Sequence, residues 1–174
     1  DFAFVQGGAD RLRRPGEPAP TGLLSLGSLF HEPVWLFYRE AAARERLGTD
    51  RVDSLGQLRG WRVNIGAEGS GITNLMLRML DANGLEPGDL VAQRLGQTAA
   101  TVSLLAGDTD AVVYTSAPEA PLVQMLLLTP GIRLMDFPQA EAYARRLPVL
   151  TPVTLPRGVV KLAEDIPDHD VHLV

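Results

Sequence analysis

The stretch "WRVNIGAEGSGITNLMLRML", Trp61 to Leu80, contains the change of period that decides the fold. Val63 and Ile65 alternate onto one face, as in a short strand. From Ile72 onward the apolar residues Ile72, Leu75, Met76, Met79 and Leu80 fall at i, i+3, i+4, i+7 and i+8, the spacing of one helical face. The helix is predicted to end at Gly84. Between the two periods stand Gly66, Gly69 and Gly71 with the hydroxyls of Ser70 and Thr73, so the segment is a strand-to-helix turn rich in glycine.

Working outward, Phe2 to Val5 is rich in strand formers, and Val34 to Tyr38 ("VWLFY") is the strongest strand in the chain by aromatic and β-branched content. Ala41 to Leu47 predicts a helical turn and Gly48 to Leu58 a loop. Leu90 to Leu95 predicts a strand, Thr98 to Ala106 a helix stopped by Gly107, and Asp110 to Tyr114 another strand. Pro118 to Leu128 predicts a helix, Ile132 to Met135 a strand, Pro138 to Leu147 a helix, and Val149 to Leu155 a strand broken by Pro152. Short strands alternating with helices of about ten residues imply βαβ units around a mostly parallel sheet, so the expected fold class is α/β with flanking helices.

The bulk composition narrows the function. At 174 residues, 45% hydrophobic and 21% charged, the chain can bury an ordinary core. A net charge of −5, with no basic cluster beyond Arg11, Arg13 and Arg14, argues against a nucleic-acid surface, which needs a concentrated positive footprint. There is no cysteine, hence no disulfide frame and no thiolate metal site. No run approaches the ~20 apolar residues of a membrane helix. The chain opens directly on a strand-like run and closes on "VHLV", and both ends read as cut from something longer.

The glycine turn has the composition of an anion cradle. A helix start leaves its first N–H groups unpaired and carries partial positive charge, so it can hold an anion without a basic side chain. Ser70 and Thr73 equally suit helix capping. Gly66 to Thr73 fits the phosphate-loop pattern G-x-x-x-x-G-K-[ST] except at the lysine, where Ile72 stands, so nucleotide triphosphate chemistry is not expected. The glycine spacing G-x-x-G-x-G is not the dinucleotide G-x-G-x-x-G, and Glu68 and Ile72 occupy the glycine positions of a nucleophile elbow around Ser70. A carboxylate or another small oxyanion suits what remains.

The histidines suggest no catalyst. His169 and His172, near Asp168 and Asp170, alternate faces and cannot all converge on one ion; His31 has no partner at a catalytic spacing. With no triad, carboxylate pair or metal signature, no enzyme, cofactor or metal is expected. "DFAFVQ" at Asp1 to Gln6 and "DAVVYT" at Asp110 to Thr115 echo each other, either because buried parallel strands look alike or because two similar lobes each present a strand end to one cleft.

"DFAFVQGG", "LFHEPVWLFYR", "LRGWRVNIGAEGSGITNLMLRMLDANGL", "LLAGDTDAVVYTSAPEAPLVQMLL" and "LPVLTPVTLPRGVVKLAEDIP" together, in that order, resemble the TAXI solute receptors of TRAP transporters. The resemblance implies an extracytoplasmic, two-lobed periplasmic-binding-protein fold, free or membrane-anchored. Its partners would be a small organic acid or amino acid and the membrane subunits of a TRAP system. It divides the chain into a remnant of the first lobe with its crossover (1–29), the second lobe (30–136) and a return segment (137–174). The Pro/Gly/Arg stretch after Val5 departs from the short connection usual there. Ligands of open α/β sheets sit beyond the carboxyl ends of strands. A carboxylate is therefore expected on the N–H groups near Gly69 to Gly71, with Ser70 and Thr73. Thr115 and Ser116 would complete the polar wall, Tyr114 would face the apolar part of the ligand, and Gln6 would reach in from the other lobe. The effector-binding domain of a transcription regulator, or a membrane-anchored sensor, would share this architecture and is the alternative.

Overall fold

The computed structural model describes residues 26–27 and 31–174. The first strand, β1 (Val34–Arg39), is the aromatic run, and every residue but the last is buried. Such a strand shows no alternation because both of its faces are covered. Trp35 and Phe37 share one of those faces and stack with centroids 6.2 Å apart. After α1 (Glu40–Leu47) and a short 3-10 turn at Leu55–Leu58 come β2 (Arg62–Asn64), α2 (Gly71–Ala82), β3 (Val91–Gln93), α3 (Gln97–Ala106) and β4 (Ala111–Thr115). α4 (Pro121–Leu127) and β5 (Ile132–Leu134) complete a five-stranded sheet of order β3-β2-β4-β1-β5.

β2 pairs in parallel with both β3 and β4, while β1 runs antiparallel to β4 and to β5. Four of the five strands thus share a direction, and β1 alone opposes them. Parallel neighbours need a crossover, which α2 and α3 supply. The chain leaves β2 for β3 on one side and returns to β4 on the other. The connections therefore part at the carboxyl end of β2, where a crevice opens.

The helical face predicted from the sequence is the one that packs. Ile72, Leu75, Met76, Met79 and Leu80 are all buried, with a gross contribution on the order of 10 kcal/mol at ~2 kcal/mol each. α4 starts at Pro121 rather than Pro118. Ala120 closes a turn on Ala117, and Pro121 takes a first-turn position where its missing N–H costs nothing.

The chain after Asp136 joins the same core. α5 (Ala140–Arg146) is followed by β6 (Val153–Leu155) and β7 (Val171–Leu173), an antiparallel pair. The Val34 N–H donates to the Val174 carbonyl at 2.7 Å and the Phe137 N–H to that of His172 at 2.9 Å, seating the pair beside β1. β6 is shorter than the predicted Val149 to Leu155 because it begins only after Pro152, and β7 takes the apolar run that closes the chain. The Oδ1 of Asp136 accepts from the backbone N–H of His172, while the ring of His169 faces Asp168, so the histidines serve different partners. Among the described residues, no group of three or more His, Asp or Glu could hold a metal, and no helix is long and apolar enough to cross a membrane.

At the amino ends of β2 and β4 the sheet is tied by one acid. Asp110 has a side chain 1% exposed and accepts from Arg62 at 2.6 Å, Arg39 at 3.1 Å and Arg46 at 3.4 Å, plus the backbone N–H of Arg62 at 3.0 Å. Burial pushes its carboxyl pKa upward, but the bonds from Arg62 and Arg39 outweigh this and bring it to about 2, from an ordinary 3.8. A pKa lowered by folding means stability fully present above 3.8 and lost as pH falls toward 2, worth about 2 kcal/mol at neutral pH. Asp110→Asn is expected to lower stability by about 2–3 kcal/mol and Tm by ~5–10 °C. It should also flatten the acid limb of stability between pH 3.8 and 2. Urea melts across that range check both, and a loss under ~0.5 kcal/mol would contradict the assigned role.

Candidate functional site

β2 delivers the chain into the glycine turn, and the turn is held from within. The buried Thr73 hydroxyl lies 3.0 Å from the Ile65 carbonyl and 2.9 Å from that of Ala67, and Ser70 Oγ is 3.0 Å from Thr73 Oγ1. Thr73 has one proton and gives it to the carbonyls, so Ser70 is the donor to Thr73. Gly66 has φ +93°, and a Cβ there would lie 2.5 Å from Ile72 Cγ2 and 2.9 Å from Ser70 Oγ. Gly69 has φ +78° with open space around the same position. Ser70 is the N-cap of α2 by backbone geometry, yet no side chain caps the helix. Among the described residues, the N–H groups of Gly71, Ile72 and Thr73 at its start therefore have neither intrahelical nor side-chain acceptors.

Beside the turn is a cleft of about 130 Å³. One wall is Gly66, Ala67, Ser70 and Ile72; another is Leu95, Gly96 and Gln97 at the start of α3; the floor is Asn64 with Val113, Tyr114 and Thr115 at the ends of β2 and β4. An adjoining recess of about 110 Å³ shares Gln97 and Tyr114 and adds Ser116 and residues 120–123. Among the described residues, no Asp, Glu, Arg or Lys lines either space.

Ser70, Tyr114 and Thr115 therefore meet at the cleft and Ser116 at the recess. Gly69 is exposed on the rim, and Gly71 and Thr73 are buried behind the wall, where the Thr73 hydroxyl holds the turn. The Tyr114 hydroxyl lies 2.7 Å from that of Thr101 and donates to the Gln97 carbonyl at 3.2 Å, leaving the ring as the surface it offers. Burial pushes its phenol pKa up against the pull of the Thr101 bond. The Ser116 carbonyl accepts from Trp35 Nε1 at 2.9 Å. Gln6 lies outside the described residues.

Two polar residues of the site were not anticipated. Gln97 opens α3 on the exposed side of the cleft. Asn64 ends β2 and is 1% exposed; its Oδ1 accepts from the Leu95 N–H at 2.7 Å while Nδ2 has no partner. Its signal was a strand-disfavouring amide inside an apolar run.

An α/β fold with a cleft at the carboxyl ends of its strands, lined among the described residues by uncharged side chains, is the class of protein that fold and site define. The chain belongs to the NMT1-like family, whose profile matches residues 28–168. Among solved structures it is similar to the periplasmic aliphatic sulphonate binding protein SsuA from Escherichia coli, at 23% identity and a TM-score of 0.48, over 60% of this chain and 32% of that one. The alkanesulfonate-binding protein SsuA from Xanthomonas axonopodis pv. citri, bound to MOPS, gives 22% and 0.46 over 61% and 35%. An ancestral arginine-binding protein bound to arginine gives 20% and 0.43 over 61% and 41%. The chain thus spans about a third of the length of the two sulfonate-binding proteins. No curated protein sequence gives a significant match.

The two glycines should respond differently to one methyl group. Gly66→Ala is expected to cost about 3 kcal/mol, left-handed strain plus a clash with the first turn of α2; Gly69→Ala should cost about 1 kcal/mol, strain alone. Chemical denaturation of the two variants checks this, and equal losses would show that residue 66 is not packed as described.

Proposed function

We propose that the chain is most of the ligand-binding lobe of an extracytoplasmic solute receptor of the TAXI type, which captures a small carboxylate-bearing solute for the membrane subunits of a TRAP transporter. The supporting observation is that the starts of α2 and α3 and the ends of β2 and β4 meet at one cleft whose polar groups, among the described residues, are uncharged. The ligand carboxylate sits by the unpaired amides at the start of α2, near Gly69, Ser70, Gly71 and Thr73. Thr115 and Ser116 extend the polar wall, and the Tyr114 ring meets the ligand body.

In this proposal residues 30–136 form the second lobe, 1–29 belong to the first lobe and its crossover, and 137–174, which pack on the same core as 34–136, lead back toward the first lobe. Gln6 contributes from the first lobe. The function is capture rather than conversion. A ligand that touches both lobes only when they are closed stabilises the closed form by that difference in contact.

Thermal-shift measurements on the chain with a panel of mono- and dicarboxylates test it. A bound solute at 100 times its Kd should add about 2.7 kcal/mol, raising Tm by several degrees, whereas neutral amides of the same acids should do much less. The absence of a shift with every acid in the panel would count decisively against solute capture by this lobe.

A further inference from the structure

Asn64 is placed like a recognition group. It is almost wholly buried at the floor of the cleft, and its Nδ2 is the one buried side-chain nitrogen or oxygen among the described residues without a hydrogen-bond partner. The orientation of the amide is fixed: the Leu95 N–H at 2.7 Å demands an oxygen, so the N–H2 end is the one left over. Native proteins rarely bury a donor with nothing to accept from it, and a neutral donor beside the start of a helix is complementary to a ligand oxygen. The Ser70 proton is already given to Thr73, which makes Asn64 and the α2 amides the donors in this part of the wall.

The remaining surroundings restrict the ligand body. The recess beyond Tyr114 is walled mainly by Ala120, Pro121, Leu122 and Val123, and among the described residues no carboxylate lines either space to meet an ammonium. A buried cation there would be unpaired, which is unfavourable.

Resting on the receptor function proposed above, we propose that Asn64 Nδ2 is the specificity-determining donor to one oxygen of the ligand's head. The ligand is an amphipathic monocarboxylate, with a short apolar body in the recess against Tyr114, Leu122 and Val123 and no ammonium group.

The test is a titration of the ¹⁵N-labelled chain with hexanoate, and with norleucine, which adds an ammonium to the same carbon chain. The Asn64 side-chain N–H2 signals are assigned in the wild type by through-bond correlation to the Asn64 backbone, with ¹³C as a second label. The variant Asn64→Asp keeps the acceptor for Leu95 but sets an anionic oxygen where the donor was. Hexanoate is expected to move the Asn64 N–H2 signals of the wild type. Asn64→Asp should weaken hexanoate at least ~30-fold through like-charge contact, and norleucine should bind the wild type at least ~10-fold more weakly than hexanoate. The wild-type signals keep the test independent of whether the variant folds. Hexanoate binding that leaves the Asn64 signals unmoved overturns the assignment while leaving the receptor function intact. So does norleucine binding as tightly as hexanoate, for the ligand class. Failure of every carboxylate to bind the wild type removes both proposals together.

Discussion

The structure of the site depends on one buried hydroxyl. Thr73 bonds back to the carbonyls of Ile65 and Ala67, and so fastens the first turn of α2 to the end of β2. This geometry is available only because residue 66 has no side chain: a Cβ would occupy the space of Ile72 and Ser70. The consequence is directional. With the turn closed on itself, the first amides of α2 are fixed without any capping side chain, and their orientation costs no further ordering when a ligand arrives. The apolar face of α2 supplies the energy that holds this arrangement against the sheet.

The buried ion pairs of the sheet lie at its other end. Asp110 and its arginines lie at the amino ends of β2 and β4, while the cleft lies at their carboxyl ends. The length of β4 separates them by roughly 15 Å. Asp110 is matched by the arginines around it, so the cluster stabilises the strand arrangement without contributing a side chain to the cleft. One sheet serves two electrostatic purposes because its parallel strands keep their two ends apart.

Much of this was legible in the residues. The switch of period at Ile65 to Ile72 marks β2, the turn and α2, and the five apolar positions of the helix are the five that pack. The alternation of elements implies α/β, and the polar residues Ser70, Thr115 and Ser116 singled out from the sequence line the cleft or the recess beside it. The opposed direction of β1 was not legible, because local pattern records burial and not polarity; "VWLFY" reads the same either way. β7 has only three residues, too few to show alternation, and exists because β6 and the core cover it. The sequence offers Thr73 as a ligand hydroxyl, and only coordinates show two carbonyls already within its reach. Asn64 was hidden by its neighbours: an amide in an apolar strand counts as an exception until the missing partner of its nitrogen is seen.

A cleft whose described walls carry no cation also constrains how it can work. Bonds from neutral donors to a carboxylate contribute roughly 1.5–3 kcal/mol each, whereas association itself costs about 4–15 kcal/mol. A few such bonds therefore leave one surface alone with little net affinity. Tight capture by such a lobe therefore requires a second surface that completes the ligand's contacts, and affinity is lost again when the two surfaces part. In the proposed receptor the weakness of the single lobe is what couples binding to closure. An arginine in the cleft would hold the anion with the lobes open and remove the difference on which the closed state depends.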